Sequence, residues 1–379
     1  MTLLSICIPV LTPDERISDT VRQMLRSTQK DFEILIADFT DAPGSGFSVL
    51  AKELNDTRLR LITPKRETTA APAKDVSTCW NQIIPQTKGA WITFINPSDY
   101  ADPGICEVIR VTLKRVPEAD VLSWGRASYV PPALRAGWDI AKIPMGSSLD
   151  LPEQKDMMQK LFYWDGATER PACHFGVRHG AIRRDLMERV REAFSDVYFE
   201  QADPEIDNLC KTLLIAQRMV YWERPMSVQD VSRSAEKTST VSENDRLEGF
   251  PFSSEIGLTA GSAFAIEMFK RRYGIELDGW EDGFIKACAH DCETATSGEQ
   301  FHARKAAYAK AIAEWRGKPA LAGFKPEFKR NPKLPRFQGL KDQHLYFDMD
   351  MDHTQSAAEF YTLIDAMLFP VHLLDAKLA

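Results

Sequence analysis

Each thing missing from this chain of 379 residues removes a class of function. Basic charge is not in excess: 54 acidic side chains outnumber 47 basic ones, for a formal net charge of −7. A broad nucleic-acid footprint needs the opposite sign, so no nucleic-acid partner is expected. A disulfide framework is missing too. The seven cysteines are odd in number and scattered, which suits a reducing compartment. No run of ~20 apolar residues is available to cross a bilayer. The opening "MTLLSICIPVL" is apolar but lacks a basic lead and a cleavage pattern, so it reads as a first strand. The expected location is cytoplasmic. Glycine is absent from "PVLTPDER", directly after that strand, which counts against nucleotidyl transfer through a Gly-rich phosphate loop. No internal repeat is found.

What is present is a globular composition, 44% hydrophobic, on a chain long enough for a sizeable core. "LLSICIPV", "FEILIAD", "RLRLITP", "AWITFIN" and "ADVLSWG" read as strands. Between them, residues 14–28 set Ile17, Val21, Met24 and Leu25 on one helix face, and residues 74–88 and "GICEVIRVTLKRV" read as further helices. This alternation predicts an α/β fold, a mostly parallel sheet with helices on both faces. Ligands of such sheets bind beyond the carboxyl ends of the strands. Those ends are Pro9 to Thr12, Asp38 to Asp41, Thr63 to Arg66 and Asn96 to Asp99.

Residues 126–170, with several Pro, Gly and Trp, read as a long loop or lid. A short strand and the helix "RRDLMERVREAF" follow. "DPEIDNLCKTLLIAQ" reads as a helix with Asp203 as N-cap and Pro204 at its first position, and "RMVYWERPMSV" as a strand. From about residue 245 the segments 258–274, 280–293, 300–315 and 354–369 read as helices. A domain over residues 1–240 and a helical C-terminal region over 241–379 are therefore expected. Within the latter, "KPEFKRNPKLPRFQGLK" has six basic residues and one acid. It is a solvated connector, or a surface for an anionic acceptor or a membrane face. "CAHDC", residues 288–292, lacks a second ligand pair and reads as a helix with two half-buried thiols sooner than as a zinc site. The alternating Asp348, Asp350 and Asp352 read as a solvated acidic turn.

Three quoted stretches carry a family resemblance. The first is "SICIPVLTPDERISDTVRQMLRSTQKDFEILIAD", a strand ending in Ile-Pro, a helix, and a strand ending in an acidic turn. The second is "CWNQIIPQTKGAWITFINPSDY", a Trp-Asn helix leading through glycine into a strand. The third joins "RHGAIRRDLMERV" to "YFEQADPEIDNLCKTLLIAQRMVYWERPMSVQDVS", a His-Gly strand, a Pro-acid helix start and an Arg-Pro strand. Their order and spacing resemble family 2 glycosyltransferases of GT-A fold, and are similar to transferases of bacterial capsule, O-antigen and exopolysaccharide synthesis. The resemblance covers residues 3–235, with a nucleotide-binding half at 1–125 and an acceptor-side half at 126–240.

The resemblance implies transfer of a sugar, with inversion, from a nucleoside diphosphate (UDP) donor to a hydroxyl of a glycan or lipid-linked glycan. It implies that backbone at Pro9 and Val10 and the carboxylate of Asp38 grip the base. Asp38 also suits a plain turn cap, and Phe39, in place of a second acid, either stacks or packs. Lys65 and Arg66 are placed to reach phosphate, or are merely exposed. Asn96, Asp99 and His179 fall at the donor; His179 reads equally as structural.

The family holds Mn²⁺ or Mg²⁺ on an Asp-x-Asp run, since hard cations favour carboxylate oxygens. In this register the two acids fall on Asn96 and Ser98, and Asp99 is the one metal-ligating carboxylate left. Two readings stand. Asp99 holds a metal weakly with amide, hydroxyl and diphosphate oxygens, or cations among Arg178, His179, Arg183 and Arg233 replace it.

The catalytic base is expected at Glu205, after Pro204. A helix N-terminus stabilises its carboxylate, so repulsion from Asp203 and Asp207, or burial, is needed to raise its proton affinity. The three acids also simply suit a helix start. Loss of the metal acids keeps open a degenerate GT-A domain that binds nucleotide or glycan without turnover. The C-terminal region allows peripheral contact with the inner face of the cell membrane, or a homo-oligomer.

Overall fold

β1 (Leu4–Val10) is apolar because it is buried on both faces in the middle of a sheet. In this computed structural model, residues 2–40, 45–62, 76–135, 139–231, 247–328 and 337–377 are described. α1 (Ile17–Leu25) buries Ile17, Val21 and Met24, the face read from their spacing. β2 (Phe32–Asp38), α2 (Ser45–Leu54), β3 (Leu59–Ile62), α3 (Val76–Ile83) and β4 (Trp91–Phe94) complete a first α/β half. β2 and β4 pair β1 in parallel, and β3 pairs β2 in parallel. The register sets Val10 beside Asp38, so both expected base-gripping ends lie at one sheet edge.

The short β5 (Tyr100–Ala101), α4 (Ile105–Arg115) and β6 (Val121–Tyr129) follow, then β7 (Ile140–Pro144), β8 (Leu149–Asp150) and α5 (Gln154–Phe162). The long loop or lid expected over residues 126–170 is therefore not there. β6 runs through the start of that span, β7 pairs a strand near the C-terminus, and α5 packs on the core. Strand partners so distant in sequence leave no local signature for these short segments.

β9 (Gly180–Arg183) runs straight into α6 (Arg184–Ala193), and α7 (Pro204–Ile215) precedes the long β10 (Met219–Asp230). The main sheet has the order β3-β2-β1-β4-β9-β6-β10-β5, with β8 also on β10. β6 and β10 are parallel. β9 is antiparallel to both β4 and β6 and joins the two parallel halves. The expected α/β architecture, a mostly parallel sheet with helices on both faces, is the one observed.

The C-terminal helices are α8 (Leu258–Arg272), α9 (Glu281–Glu293), α10 (Gly298–Arg316), α11 (Ala357–Asp365) and α12 (Leu374–Lys377), counted beside the strands β11 (Gly339–Lys341) and β12 (His344–Asp348). The region is thus not helical throughout: β12 pairs β7 and β11 in a second, three-stranded sheet. Nor does it stand apart. α8, α9 and α10 share one core with α3, α5, α6 and α7. α11 and α12 share the core of the opposite face with α1 and α4. The boundary expected at residue 240 lies outside the described residues. No described helix is long and apolar enough to cross a membrane.

Candidate functional site

The site forms where β9 meets the end of β4. Phe94 N donates to Val177 O at 2.8 Å, and His179 N donates to Phe94 O at 3.3 Å. Residues 177–179 thereby lie along the end of β4, beside the turn that carries Asp99. The chain gets there through His179, which takes a positive φ of 50°. Gly180 follows because nothing larger fits. A Cβ there would sit 2.5 Å from Gly176 O and 3.1 Å from Leu122 O. The His-Gly pair is thus a packing requirement of the seam strand.

Asp99 is fully buried and its carboxylate is fully engaged. Oδ2 accepts from Asn96 N at 2.9 Å and faces His179 Nε2 at 3.1 Å; Oδ1 accepts from Asp230 N at 2.9 Å. The Arg178 guanidinium stands 3.6 Å from Oδ2. Burial works to raise this carboxyl, but His179, Arg178 and the Asn96 amide outweigh it and hold it below the usual carboxylate range. His179 Nδ1 lies 2.9 Å from Ser227 Oγ, which accepts from Trp124 Nε1. Burial depresses the proton affinity of His179, so a neutral ring donating through Nε2 and accepting through Nδ1 satisfies the chain. Asp, His and Ser in this order suggest a nucleophilic triad, but all three are buried and Ser227 is closed in by Trp124. Both ring nitrogens of His179 serve the frame and none is left for a ligand.

These residues do not fit a resident divalent metal. Asp99 spends its lone pairs on backbone amides and His179 and has a guanidinium beside it. Asn96 is neutral. The Ser98 hydroxyl, buried without a partner among the described residues, is a weak ligand for a hard cation. Among the described residues no group of three His, Cys, Asp or Glu side chains could hold a metal ion.

Arg178 turns its other edge to α7. Its Nη1 donates to Glu205 Oε2 at 2.7 Å. Asp203 caps α7 as the sequence suggested, accepting from Glu205 N and Ile206 N at 3.1 Å each. Asp207 faces away, paired with Lys211 at 2.9 Å and accepting from Glu200 N at 2.8 Å. The expected upward push on Glu205 is reversed. Partial burial works to raise it, but the charges of Arg178 and Arg170 and the Arg178 hydrogen bond hold it at about 2. The Trp-Asn motif supports this corner from below. Trp80 stacks on Phe94 at 4.3 Å, and Asn81 Oδ1 accepts from Tyr198 N and Phe199 N at 3.1 and 3.0 Å. The loop into Asp203 is thereby tied to α3.

Arg178 and Glu205 face a cleft that Arg126, Arg170, His174 and Cys173 also line. Burial pushes the Cys173 thiol up to about 12, which removes it as a nucleophile at neutral pH. The cleft is a place for anions and hydroxyls. Arg126 and Arg170 were not picked out from the sequence. Arg126 had a signal, a lone charged residue within the otherwise uncharged β6; Arg170 had none.

Pro9 and Val10 end β1, and Asp38 ends β2, as expected. Asp38 Oδ1 accepts from Thr40 N at 3.0 Å and Thr40 Oγ1 at 2.7 Å, so it does cap its own turn. Phe39 packs into the core. Arg183 lies away from the cleft, paired with Asp185 at 2.6 Å and Ala119 O at 3.1 Å. Lys65, Arg66, Asp41 and Arg233 lie outside the described residues, as does much of the basic "KPEFKRNPKLPRFQGLK" stretch. Cys288 and Cys292 are buried in α9 while His290 is exposed, so "CAHDC" does not converge. Asp350 pairs with Arg135 at 2.7 Å on the exposed turn after β12.

No family model matches the chain. Among curated proteins it is 24% identical over 210 residues to "Uncharacterized glycosyltransferase EpsJ" of Bacillus subtilis, covering 53% of this chain and 54% of that one. It is 28% identical over 97 residues to the "UDP-Glc:alpha-D-GlcNAc-diphosphoundecaprenol beta-1,3-glucosyltransferase WfgD" of Escherichia coli, covering 26% of this chain and 35% of that one. The resemblance to glycosyltransferases thus extends to curated sequences, of which the chain spans about half the length or less. Among solved structures, S. aureus TarS 1-349 in complex with UDP-GlcNAc aligns with a TM-score of 0.49 at 12% identity, covering 83% of this chain and 82% of that one.

Proposed function

We propose that this chain transfers a sugar from a UDP-sugar to a hydroxyl of a glycan or lipid-linked glycan, in one displacement that inverts the anomeric centre. The observation that carries the reading is the pairing of Arg178 with Glu205 in one cleft beside the end of β4. Transfer needs a cation to neutralise the departing diphosphate and a carboxylate to take the acceptor's proton. The acceptor O–H bond breaks as its oxygen bonds the anomeric carbon, and the proton passes to Glu205. The bond from that carbon to the diphosphate oxygen breaks, and its electron pair leaves on UDP. Positive charge comes from Arg178, with Arg126 and Arg170 nearby, and no step uses a metal.

Similarity to glycosyltransferases supports the reaction class. The activity named for the E. coli relative supports a UDP donor and a lipid-linked acceptor in surface polysaccharide synthesis. Such an acceptor would set the work at the cytoplasmic face of the cell membrane. The test is a panel of UDP-sugars followed by thermal shift and UDP release, on the wild type and Glu205→Gln. One UDP-sugar should stabilise the protein and turn over, and Glu205→Gln should lower the rate by about 10²- to 10⁴-fold. Full rate in Glu205→Gln removes the base assignment.

One observation favours a second reading. Glu205 is held at about 2, far from a proton acceptor at neutral pH. On that reading the domain binds nucleotide or glycan without catalysis. Stabilisation by UDP with no transfer across a broad acceptor panel selects it.

A further inference from the structure

Arg126 and Arg170 line the same cleft as Arg178, yet neither makes a hydrogen bond or an ion pair among the described residues. Arg178 is 11% exposed, and its Nε is buried without a partner. Three guanidiniums therefore face one free-standing carboxylate, Glu205. Of the other two acids at the start of α7, Asp203 spends an oxygen on capping the helix and Asp207 pairs with Lys211. Cations gathered at close range repel one another, and a buried guanidinium N–H without an acceptor is costly. Asp99, 3.6 Å from Arg178, shares the charge from behind, but the wall still holds more guanidinium donors than the protein itself satisfies.

We propose that an anionic substrate group, a phosphate or diphosphate, enters this cleft, draws Arg178 off Glu205, and thereby turns Glu205 from an ion-pair partner into a proton acceptor. The proposal rests on the transferase reading of the same site. A guanidinium presents a planar fork that matches phosphate oxygens, so Arg178 can exchange one oxyanion for another with little movement. Arg126 and Arg170 add charge that Glu205 alone does not balance. Once Arg178 turns to the phosphate, Glu205 keeps its partial burial and its neighbour Asp203, both of which favour the protonated form. His174 and Cys173 are the other titratable groups on the cleft wall besides the arginines. Base strength would then appear only with substrate in place, and the free enzyme would hold its base silent. The phosphate comes either from the donor's diphosphate or from a phosphate on the acceptor.

The experiment is a carbon-13 titration of the Glu205 carboxyl, assigned against Glu205→Gln. It is run on free protein and with saturating UDP, inorganic pyrophosphate or glucose 6-phosphate, with binding followed by calorimetry. Free protein should show Glu205 flat down to about pH 4, and a bound anion should raise its midpoint by about 1–3 pH units. A rise with UDP and pyrophosphate identifies the donor as the source; a rise with the sugar phosphate alone identifies the acceptor. In Arg178→Gln, checked for folding by circular dichroism, Glu205 should titrate high without any anion. The wild-type titration decides the matter even if that variant does not fold. Saturable UDP binding that leaves Glu205 unmoved, with the sugar phosphate equally without effect, overturns the exchange and leaves the transferase reading standing. Failure of all three anions to bind overturns both.

Discussion

Asn208 on α7 accepts a hydrogen bond from the Val177 amide at 2.8 Å, and through it the helix bearing Glu205 is fastened to the segment bearing Arg178. Both ends of this bond are fully buried. The segment runs along the end of β4, so this single side chain helps set the separation of cation and carboxylate across the cleft. Asn208 sits one turn into a helix start whose acids drew attention from the sequence, and it is the residue there that orients the others.

Replacing Asn208 by Leu keeps the volume and removes the acceptor. The Val177 N–H is then left buried and unpaired, at a cost of about 1–3 kcal/mol. Chemical denaturation should show a loss in that range, while Asn208→Asp, which keeps an acceptor oxygen, should lose less. UDP release should fall in Asn208→Leu even where the protein is folded. Unchanged stability would show that the amide finds another partner.

Gly180→Ala tests the seam between the two halves of the sheet. The added Cβ would meet Gly176 O at 2.5 Å, a backbone atom that no rotamer change moves. Overpacking of this kind costs about 1–3 kcal/mol, and the strain falls on the segment carrying Arg178 and His179. Denaturation midpoints should drop and UDP-sugar turnover should drop with them. Gly166→Ala, where the nearest side-chain atom is 3.9 Å away, pays only for its positive φ and should leave turnover intact.

The strand–helix alternation was open to sequence reading because β1, β2 and β4 are buried on both faces and read as mostly apolar runs of strand length. Asp203 was open because a capped helix start with proline has a local cause. What lay hidden depends on contacts distant in sequence. β7 is a strand because β12 arrives beside it, and Asp99 is spent because His179 and the Asp230 amide close on it. The direction of the shift at Glu205 was hidden for the same reason. Its neighbours in sequence are acids, and its neighbour in space is Arg178.

Acid should separate wild type from Glu205→Gln. The Glu205 carboxyl is held at about 2, below its ordinary value of 4.5. A depressed carboxylate contributes stability that is present in full above its unfolded value and is lost as pH falls through its folded one. Melting temperatures of the two proteins should therefore differ most at neutral pH and converge between about pH 4.5 and pH 2. A difference that stays constant through that window would mean that Arg178 does not hold the carboxylate in solution.

Chelation tests the charge arrangement itself. If cations of the chain neutralise the leaving diphosphate, UDP affinity and transfer rate should be the same in EDTA as in Mn²⁺, within about twofold, since no ligand set in the described residues calls for a hard cation. Arg178→Gln should then do what chelation does not, and lower the rate by about 10²- to 10³-fold, the scale on which removing one preorganised donor to a developing charge is felt. Added Mn²⁺ should not restore it, because Asp99 remains tied to Asn96, Asp230 and His179. Rescue of Arg178→Gln by Mn²⁺, or collapse of UDP binding in EDTA, would instead mean that donor binding pulls Asp99 out of its hydrogen bonds and onto a metal.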